Sequence, residues 1–235
     1  MTESINTYRK DLQGLRAVSI LLIVLAHSSL GIFEGGFVGV DVFFVLSGFL
    51  ITGILQKELY QTNGISFINF YGRRLKRLLP ALLFMILIVF LSSLFLLSDI
   101  ELNAQLESTN FALTWISNIY FSYRDIDYFN ELLTQDMFLH TWSLGVEEQF
   151  YIIWPIIMII IFKINLKTKI NYVYILVIIL ILSFITSILW MFIDPVSSFY
   201  MMPSRIWQFT LGALVYFYIQ TQHFQLVILS LIGLS

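Results

Sequence analysis

Apolar residues occur along this chain in long runs that are separated by short polar or charged segments. A helix needs roughly 20 mostly apolar residues to cross a bilayer, and six runs are interpreted as complete spans. They lie at 15–33, 37–55, 78–97, 142–162, 172–193 and 206–219. A seventh run begins at Phe224 and reaches Ser235, which is about half of the required length. The pattern predicts an all-α, polytopic membrane helix bundle with six complete spans and a truncated seventh.

The composition supports a membrane protein and excludes several other classes. Charged residues make up 12% of the 235 residues, compared with about 25% in soluble domains. The net charge of −2 argues against a nucleic-acid-binding protein, which needs a basic face. The chain contains no cysteine, so disulfides, thiol nucleophiles and cysteine metal sites are excluded. No small-residue cleavage site follows the long first run, which we interpret as a retained helix and not as a signal peptide.

Lysine and arginine residues are distributed asymmetrically among the segments between the runs, as expected when cytoplasmic loops hold the positive charge. Only Arg124 and Arg205 fall on the predicted outer side. The longest segment, 98–141, contains seven acidic residues and one basic residue, and we expect it outside, with a helix on the outer interface over 106–123. The N-terminus is therefore predicted to be cytoplasmic. The basic residues of the predicted cytoplasmic side are Arg9, Lys10, Arg16, Lys57, Arg73, Arg74, Lys76, Arg77, Lys163, Lys167 and Lys169.

Titratable residues are rare within the runs, and such residues mark functional sites by default. They are His27, Asp41, Glu147 and Glu148. With a turn near residues 34–35, His27 and Asp41 are each predicted to lie about 10 Å from the outer end of their helices. Glu147 is predicted to lie about 13 Å from the same side, which would bring three of these side chains into one layer. Glu147 and Glu148 differ by about 100° around a helix, and we favour Glu147 as the one that faces this layer.

Arg16 and His27 are predicted to share one face of the first helix. Their spacing of 11 residues returns a helix to within about 20° of the same direction, with about 16 Å between them along the axis. Arg16 would then mark the cytoplasmic mouth of a polar track that leads to His27. Such a track would guide a ligand or a proton across most of the membrane.

Purely structural interpretations of these residues stay open at this point. A single histidine or carboxylate in a membrane helix can serve only to bond a neighbouring helix. The basic cluster of Arg73, Arg74, Lys76 and Arg77 can serve only to keep its segment cytoplasmic. No serine nucleophile motif and no metal-ligand spacing is evident in the sequence.

Five segments of the chain resemble acyltransferase family 3, whose members modify cell-surface polysaccharides and include O-antigen and peptidoglycan O-acetyltransferases. The segments are YRKDLQGLRAVSILLIVLAH at 8–27, GGFVGVDVFFVLSGFLITGIL at 35–55, FYGRRLKRLLPAL at 70–82, FLHTWSLGVEEQFYIIWP at 138–155 and SRIWQFTLGALV at 204–215. They occur in the order and spacing of the family across essentially the whole chain. Lys10 and Gln13 stand where many relatives have proline and aspartate.

The resemblance implies an integral membrane enzyme that moves an acyl group, commonly acetyl, from cytoplasmic acyl-CoA to a hydroxyl of a cell-surface or cell-envelope polysaccharide, such as the O-antigen of lipopolysaccharide. Its implied partners are the lipid bilayer, acyl-CoA as donor substrate and the glycan acceptor, with no resident cofactor and no nucleic acid. The implied location is the bacterial inner membrane. The positions that match the motifs of the family are Arg16, His27, Asp41, Arg74 and Arg77 with the adjacent Arg73, and Glu147 and Glu148.

The resemblance also implies roles for these residues. Guanidinium groups bind phosphates bidentately, so the arginines are expected to bind the CoA moiety. The imidazole of His27 would take the proton of a sugar hydroxyl as a general base, or would accept the acyl group itself. A carboxylate such as Asp41 or Glu147 would hold the imidazole in the useful tautomer, and Glu148 is the alternative.

The membrane domain of the family has more helices than this chain supplies, so the resemblance implies one domain over 1–235 that is incomplete at its C-terminal end. Two other interpretations are kept. One is a proton-coupled transporter that uses the same buried titratable residues. The other is an inactive, truncated form of the acyltransferase.

Overall fold

The computed structural model describes residues 10–28, 34–124, 126 and 136–231, and it describes only the backbone of Glu34 and of residues 222–231. Over these residues the chain is helical, and the described part contains no strand. Short 3₁₀ turns lie at Glu34–Phe37, Leu139–Thr141 and Met202–Ser204. The α-helices of the described residues are α1 (Lys10–Ala26), α2 (Val38–Thr62), α3 (Phe67–Leu96), α4 (Asp99–Leu113), α5 (Ser117–Tyr123), α6 (Trp142–Thr168), α7 (Tyr172–Ile193), α8 (Pro195–Tyr200) and α9 (Ile206–Leu231).

Four helical segments of the described residues are long and apolar enough to cross a membrane. They are Gly35–Thr62, Phe67–Leu96, Leu139–Thr168 and Tyr172–Ile193, and they correspond to the second to fifth predicted runs. The all-α fold class is therefore confirmed, whereas the count of six complete spans and a partial seventh is not.

The first and last helices differ from the predicted runs. The run at 15–33 overlaps α1, which begins five residues earlier at Lys10, has 17 residues and is about 26 Å long. Residues 29–33 lie outside the described residues. The runs at 206–219 and from Phe224 both fall in α9, which continues without interruption to Leu231, so their separation into two spans is wrong. Glutamine is a good helix former, and Gln220 interrupts the apolar run without ending the helix. Residues 232–235 lie outside the described part.

The predicted outer segment contains two helices in place of one. The carboxylate of Glu101 accepts hydrogen bonds from the backbone N–H and the hydroxyl of Ser98, at 2.8 and 2.7 Å, and this local arrangement begins α4. Trp115 has a φ of 57°, a left-handed conformation that cannot continue a right-handed helix. The helix predicted over 106–123 is therefore divided into α4 and α5.

The chain divides into two compact units, Met1–Ile51 with Gln208–Ser235, and Thr52–Trp207. In the first unit, α2 and α9 pack with their backbones in contact. A Cβ added to Gly48 would lie 1.9 Å from the carbonyl oxygen of Phe209, and one added to Gly212 would lie 1.9 Å from that of Val45. The rings of Phe44 and Phe209 stack beside this crossing with their centroids 4.7 Å apart. Small residues permit such close approach between membrane helices.

The second unit has an aromatic core that is fixed by buried hydrogen bonds. Trp154 of α6 donates from its indole Nε1 to the hydroxyl of Thr52, at 2.9 Å. Asn118 of α5 and Gln149 of α6 exchange two amide hydrogen bonds, at 3.3 and 2.8 Å. Asn118 also donates to the carbonyl oxygen of Tyr200, at 3.1 Å. These bonds fix the rotation of α6, the helix that carries both candidate glutamates.

Candidate active site

His27 lies directly after α1, at the end of the helix and not inside it. Its backbone N–H bonds to the carbonyl oxygen of Ile23 at 3.1 Å, and its Nδ1 lies 2.8 Å from the same oxygen. The hydroxyl of Ser28 donates to the carbonyl oxygen of Leu25 at 2.6 Å. These side chains satisfy carbonyl groups of the last turn, which otherwise lack partners. The prediction that His27 lies within a longer helix is therefore wrong.

The contact with Ile23 determines the tautomer of a neutral His27. A carbonyl oxygen only accepts hydrogen bonds, so Nδ1 carries the proton and donates it to this oxygen. The lone pair of the neutral ring is then on Nε2, which is the nitrogen suited to accept a proton. His27 is exposed, and Nε2 is therefore not sealed within the packed core of its unit.

Asp41 lies in the first turn of α2 and is joined to α9. Its Oδ1 accepts a hydrogen bond from the Nε2 of Gln208 at 2.7 Å, and the side chain of Gln208 is almost completely buried. This is the interhelical bond that the structural interpretation of Asp41 expected. A lone amide in an apolar run is the sequence signal for such a bond, and Gln208 was not singled out.

Asp41 and His27 do not lie at the same depth. A Cβ added to Gly36 would lie 2.1 Å from the carbonyl oxygen of Leu22, and one added to Gly39 would lie 2.5 Å from that of Ser19. This antiparallel register places Asp41 level with about residue 17, roughly 15 Å from His27 along α1. The prediction that His27 and Asp41 lie in one layer is therefore wrong. Gly36 already lies beside Leu22, so the hairpin is not centred on residues 34–35.

Arg16 lies on the face of α1 that packs against α2. It precedes Ser19 by one turn, and Ser19 is the residue whose carbonyl oxygen meets Gly39. The Nε of Arg16 is buried. By the register above, Asp41 lies within about 5 Å of the level of Arg16. The structure thus brings Asp41 closer in depth to Arg16 than to His27.

The arginine cluster lies within α3. This helix begins at Phe67, well before the predicted run at 78, so Arg73, Arg74 and Arg77 belong to its first three turns. Arg74 is half-buried, whereas Arg73 and Arg77 are exposed. The cluster is therefore divided into one side chain that faces the protein and two that face away from it.

Helices α3 and α6 run antiparallel, and their register sets the depth of the glutamates. The hydroxyl of Tyr71 donates to the carbonyl oxygen of Ile152 at 3.1 Å, and His140 Nε2 lies 3.4 Å from Met85 Sδ. These pairs place residue 77 level with about residues 146–148. Glu147 and Glu148 therefore lie at about the level of the arginines of α3. The expected layer of Glu147 with His27 and Asp41 stays a prediction. This level depends on the contacts between α3 and α6, and a count of residues along α6 alone does not give it.

One side chain, Tyr151, connects the arginine and glutamate groups. The Cζ of Arg74 lies 4.0 Å from the centroid of its ring, and its hydroxyl donates to the carboxylate of Glu147. Glu148 is 9% exposed and interacts electrostatically with Arg74 and Glu147. Sequence reasoning missed Tyr151, although its spacing of four residues from Glu147 is the one that places side chains together on a helix.

The described residues contain no group of three or more side chains that could hold a metal ion. What they contain is a histidine with a defined tautomer in one unit, and a layer of arginine, tyrosine and carboxylate groups in the other. Guanidinium groups recognise phosphate and carbonyl oxygens, and an imidazole suits proton transfer. These groups are suited to binding an anion and to transferring a proton.

Comparison with known proteins identifies the family. An acyltransferase domain model matches residues 9–235. O-acetyltransferase OatA of Staphylococcus aureus (strain NCTC 8325 / PS 47) is 39% identical over 150 residues, which cover 64% of this chain and 24% of that protein. Putative O-acetyltransferase SAS0844 of Staphylococcus aureus (strain MSSA476) is 38% identical over 168 residues, which cover 71% of this chain and 28% of that protein.

The chain thus spans about a quarter of the length of these curated relatives. No solved structure matches it. Since the family model covers almost every residue from Arg9 onward, the chain belongs to acyltransferase family 3.

Proposed function

We propose that this chain forms the membrane part of an O-acyltransferase that transfers an acetyl group from acetyl-CoA to a hydroxyl of a cell-envelope polysaccharide. The family supports acyl transfer, and the relatives are described as O-acetyltransferases. We further propose that the N-terminus is cytoplasmic and that the membrane is the inner membrane of a bacterium. The distribution of lysine and arginine supports this orientation.

The observation that carries this proposal is the hydrogen bond between Nδ1 of His27 and the carbonyl oxygen of Ile23. It leaves Nε2 of the neutral ring as the basic nitrogen. Nε2 accepts the proton of the sugar hydroxyl while the hydroxyl oxygen attacks the thioester carbonyl. The new C–O bond forms, the C–S bond breaks, and the imidazolium returns the proton to the CoA thiolate. In the alternative route, Nε2 takes the acyl group first and passes it to the hydroxyl.

The role of holding the imidazole tautomer, expected of Asp41, is assigned to the carbonyl of Ile23. Asp41 lies about 15 Å away from His27 along the helix axis, which is too far for a direct hydrogen bond. We assign Asp41 to the connection between α2 and α9 through Gln208. Its proximity in depth to Arg16 gives it a second task, because a carboxylate offsets the cost of a buried guanidinium.

The arginines are assigned to the donor. Acetyl-CoA is polyanionic, and each charge-assisted hydrogen bond contributes about 1.5–3 kcal/mol. Arg74→Ala is expected to weaken the binding of acetyl-CoA roughly tenfold or more, and Arg77→Ala is expected to act in the same direction. Lys163→Ala, which removes an exposed charge elsewhere in the same unit, is the matched control. The dissociation constants are measured by titration calorimetry in detergent. Equal values for all variants would show that the arginines do not bind acetyl-CoA and only help to orient the chain in the membrane.

The catalytic role of His27 is tested by His27→Ala in a host that has no other such enzyme. Ester-linked acetate on isolated envelope polysaccharide is expected to fall to background while the variant still inserts into the membrane. Ser28→Ala removes a neighbouring hydrogen bond at the same helix end and is expected to retain the ester. Undiminished esterification in His27→Ala would contradict the proposal. If the unaltered protein took up a solute but formed no ester, the transporter interpretation would be supported.

A further inference from the structure

Among the contacts of Tyr151 are one through its ring to a cation and one through its hydroxyl to a carboxylate. The side chain is 4% exposed. Its ring faces the guanidinium of Arg74 on α3, and its hydroxyl donates to the carboxylate of Glu147, one turn earlier on α6. A single side chain therefore positions a cation from one helix and an anion from another turn of its own helix.

The contact between Tyr151 and Arg74 holds the arginine without using its hydrogen-bond donors. A guanidinium that lies over an aromatic ring interacts through its face, whereas its five N–H groups point outward in the plane of the group. Within the described part of the chain, the contacts of Arg74 are this ring and an electrostatic interaction with Glu148. The planar donors of Arg74 thus stay available for a bidentate bond to an anionic ligand.

The hydroxyl of Tyr151 acts on the adjacent carboxylates. Glu147 and Glu148 are neighbours in sequence, and Arg74 is one positive charge beside two acidic groups. The hydroxyl donates a hydrogen bond to Glu147, whereas Arg74 interacts electrostatically with Glu148. The donor-binding arginine and the carboxylate are thereby kept in separate interactions, although one side chain touches both.

We propose that Tyr151 is a positioning residue with two separable tasks: its ring presents Arg74 to the anionic part of acetyl-CoA, and its hydroxyl holds Glu147 for the transfer step. This inference rests on the proposed function, since it takes acetyl-CoA as the donor. It assigns binding to the ring and turnover to the hydroxyl. The two tasks therefore separate in a pair of variants.

Tyr151→Phe keeps the ring and removes the hydroxyl, and Tyr151→Leu removes both. Tyr151→Phe is expected to bind acetyl-CoA within twofold of the unaltered protein but to have a kcat at least fivefold lower. Tyr151→Leu is expected to bind acetyl-CoA about three- to thirtyfold more weakly, the range given by a cation–π contact, and to lose turnover as well. Tyr151→Met, a second apolar replacement that fills the buried site, repeats the binding measurement if the leucine variant does not fold.

The controls are Tyr174→Phe and Tyr174→Leu, at an exposed tyrosine of α7, which should change neither quantity. Equal Kd values for the phenylalanine and apolar variants would overturn the task of the ring. An unchanged kcat in Tyr151→Phe would overturn the task of the hydroxyl. If the unaltered protein neither binds acetyl-CoA nor transfers acetyl, the proposed function itself fails; if it does both and the Tyr151 variants match it, only the present inference fails.

Discussion

Gln208 donates a hydrogen bond to Asp41 at 2.7 Å, across a separation of 167 positions in the sequence. The bond joins α9 to the first turn of α2, close to the crossing at which Gly48 and Gly212 bring the two backbones together. Asp41 is partly buried, whereas Gln208 is almost completely buried, and a buried polar side chain without a hydrogen-bond partner is costly. The amide of Gln208 therefore stabilises both the helix pair and the position of Asp41.

Replacing Gln208 with leucine removes this donor while keeping a similar volume. The loss of a partner for a buried polar group costs about 1–3 kcal/mol, so Gln208→Leu is expected to lower the free energy of unfolding by this amount. Gln220→Leu, at an exposed position of the same helix, is expected to have little effect. Reversible unfolding in mixed micelles measures both, and equal stabilities would show that the bond between Asp41 and Gln208 contributes nothing.

The glycines of the α2–α9 crossing make a second prediction possible. A Cβ at Gly48 or Gly212 would lie 1.9 Å from a backbone oxygen of the opposite helix, and a backbone atom cannot move aside as the end of a side chain can. Gly48→Ala and Gly212→Ala are therefore each expected to lower the free energy of unfolding by about 1–3 kcal/mol, the typical cost of overpacking a core. Thermal unfolding in detergent, followed by gel filtration, measures the loss.

Gly72→Ala is the matched control for this pair. A Cβ at Gly72 meets no atom within 4 Å, and alanine is the better helix former by about 1 kcal/mol. The control variant is expected to equal or exceed the unaltered protein in melting temperature. Melting temperatures of Gly48→Ala and Gly212→Ala as high as that of Gly72→Ala would show that the helices do not cross in contact.

The apolar runs predicted the helices well where local signals also mark their ends. The run at 172–193 coincides with α7. Asn171 caps its start by accepting a hydrogen bond from the N–H of Val173 at 3.0 Å, and Asp194 with Pro195 ends the apolar sequence and begins α8. A cap of this kind is readable from the sequence because it depends only on neighbouring residues.

Hydropathy placed the ends of other helices wrongly because polar residues can be helical. Helix α3 begins at Phe67, but an apolar count starts only after Arg77. Arginine and lysine are good helix formers, so the basic cluster extends the helix and does not precede it. At α1 the error is opposite: apolar residues continue to Phe33, while the side chains of His27 and Ser28 bond the carbonyls of the last turn.

The candidate residues were readable from the sequence, but their depths were not. A titratable residue in an apolar run stands out regardless of the fold, which is why His27, Asp41, Glu147 and Glu148 were found. Their levels depend on the axial register between neighbouring helices. Particular contacts set this register, such as the hydrogen bond from Tyr71 to the carbonyl oxygen of Ile152. Tyr151 was missed because a tyrosine among many aromatic residues has no distinctive pattern until its neighbours on α3 are known.

Two aspartates outside the membrane-spanning segments predict opposite effects of pH. Burial is the main cause that raises the pKa of Asp136 above its ordinary value, although Phe138 N–H and the Ser108 hydroxyl bond to it and Arg124 lies near. Hydrogen bonds from Ser197 lower the pKa of Asp194. A group whose pKa is raised in the folded state stabilises the protein at acidic pH, and this contribution is lost as pH rises through that pKa. A group whose pKa is lowered stabilises the protein at higher pH, and its contribution is lost as pH falls through that pKa.

Asp136→Asn should therefore gain melting temperature relative to the unaltered protein as the pH is raised from acidic toward neutral. Asp194→Asn should show the reverse, with a relative loss of melting temperature at the higher pH. The measurement is the difference in melting temperature between each variant and the unaltered protein at a series of pH values. If this difference changed with pH in the same direction for both variants, the assignment of burial to Asp136 and of hydrogen bonding to Asp194 would be contradicted.

The hydrogen bond from Trp154 to Thr52 predicts that Thr52→Val will destabilise the protein, although valine has nearly the same shape as threonine. Both side chains are almost completely buried, and Thr52→Val leaves the indole N–H without its acceptor, which costs about 1–3 kcal/mol. Thr186→Val, whose hydroxyl bonds only to the carbonyl oxygen of Leu182 in its own helix, is expected to cost much less. The double variant Thr52→Val with Trp154→Phe keeps neither partner of the hydrogen bond. Its loss of stability is therefore expected to be smaller than the sum of the two single losses. Additive losses in reversible unfolding would show that the two groups do not interact.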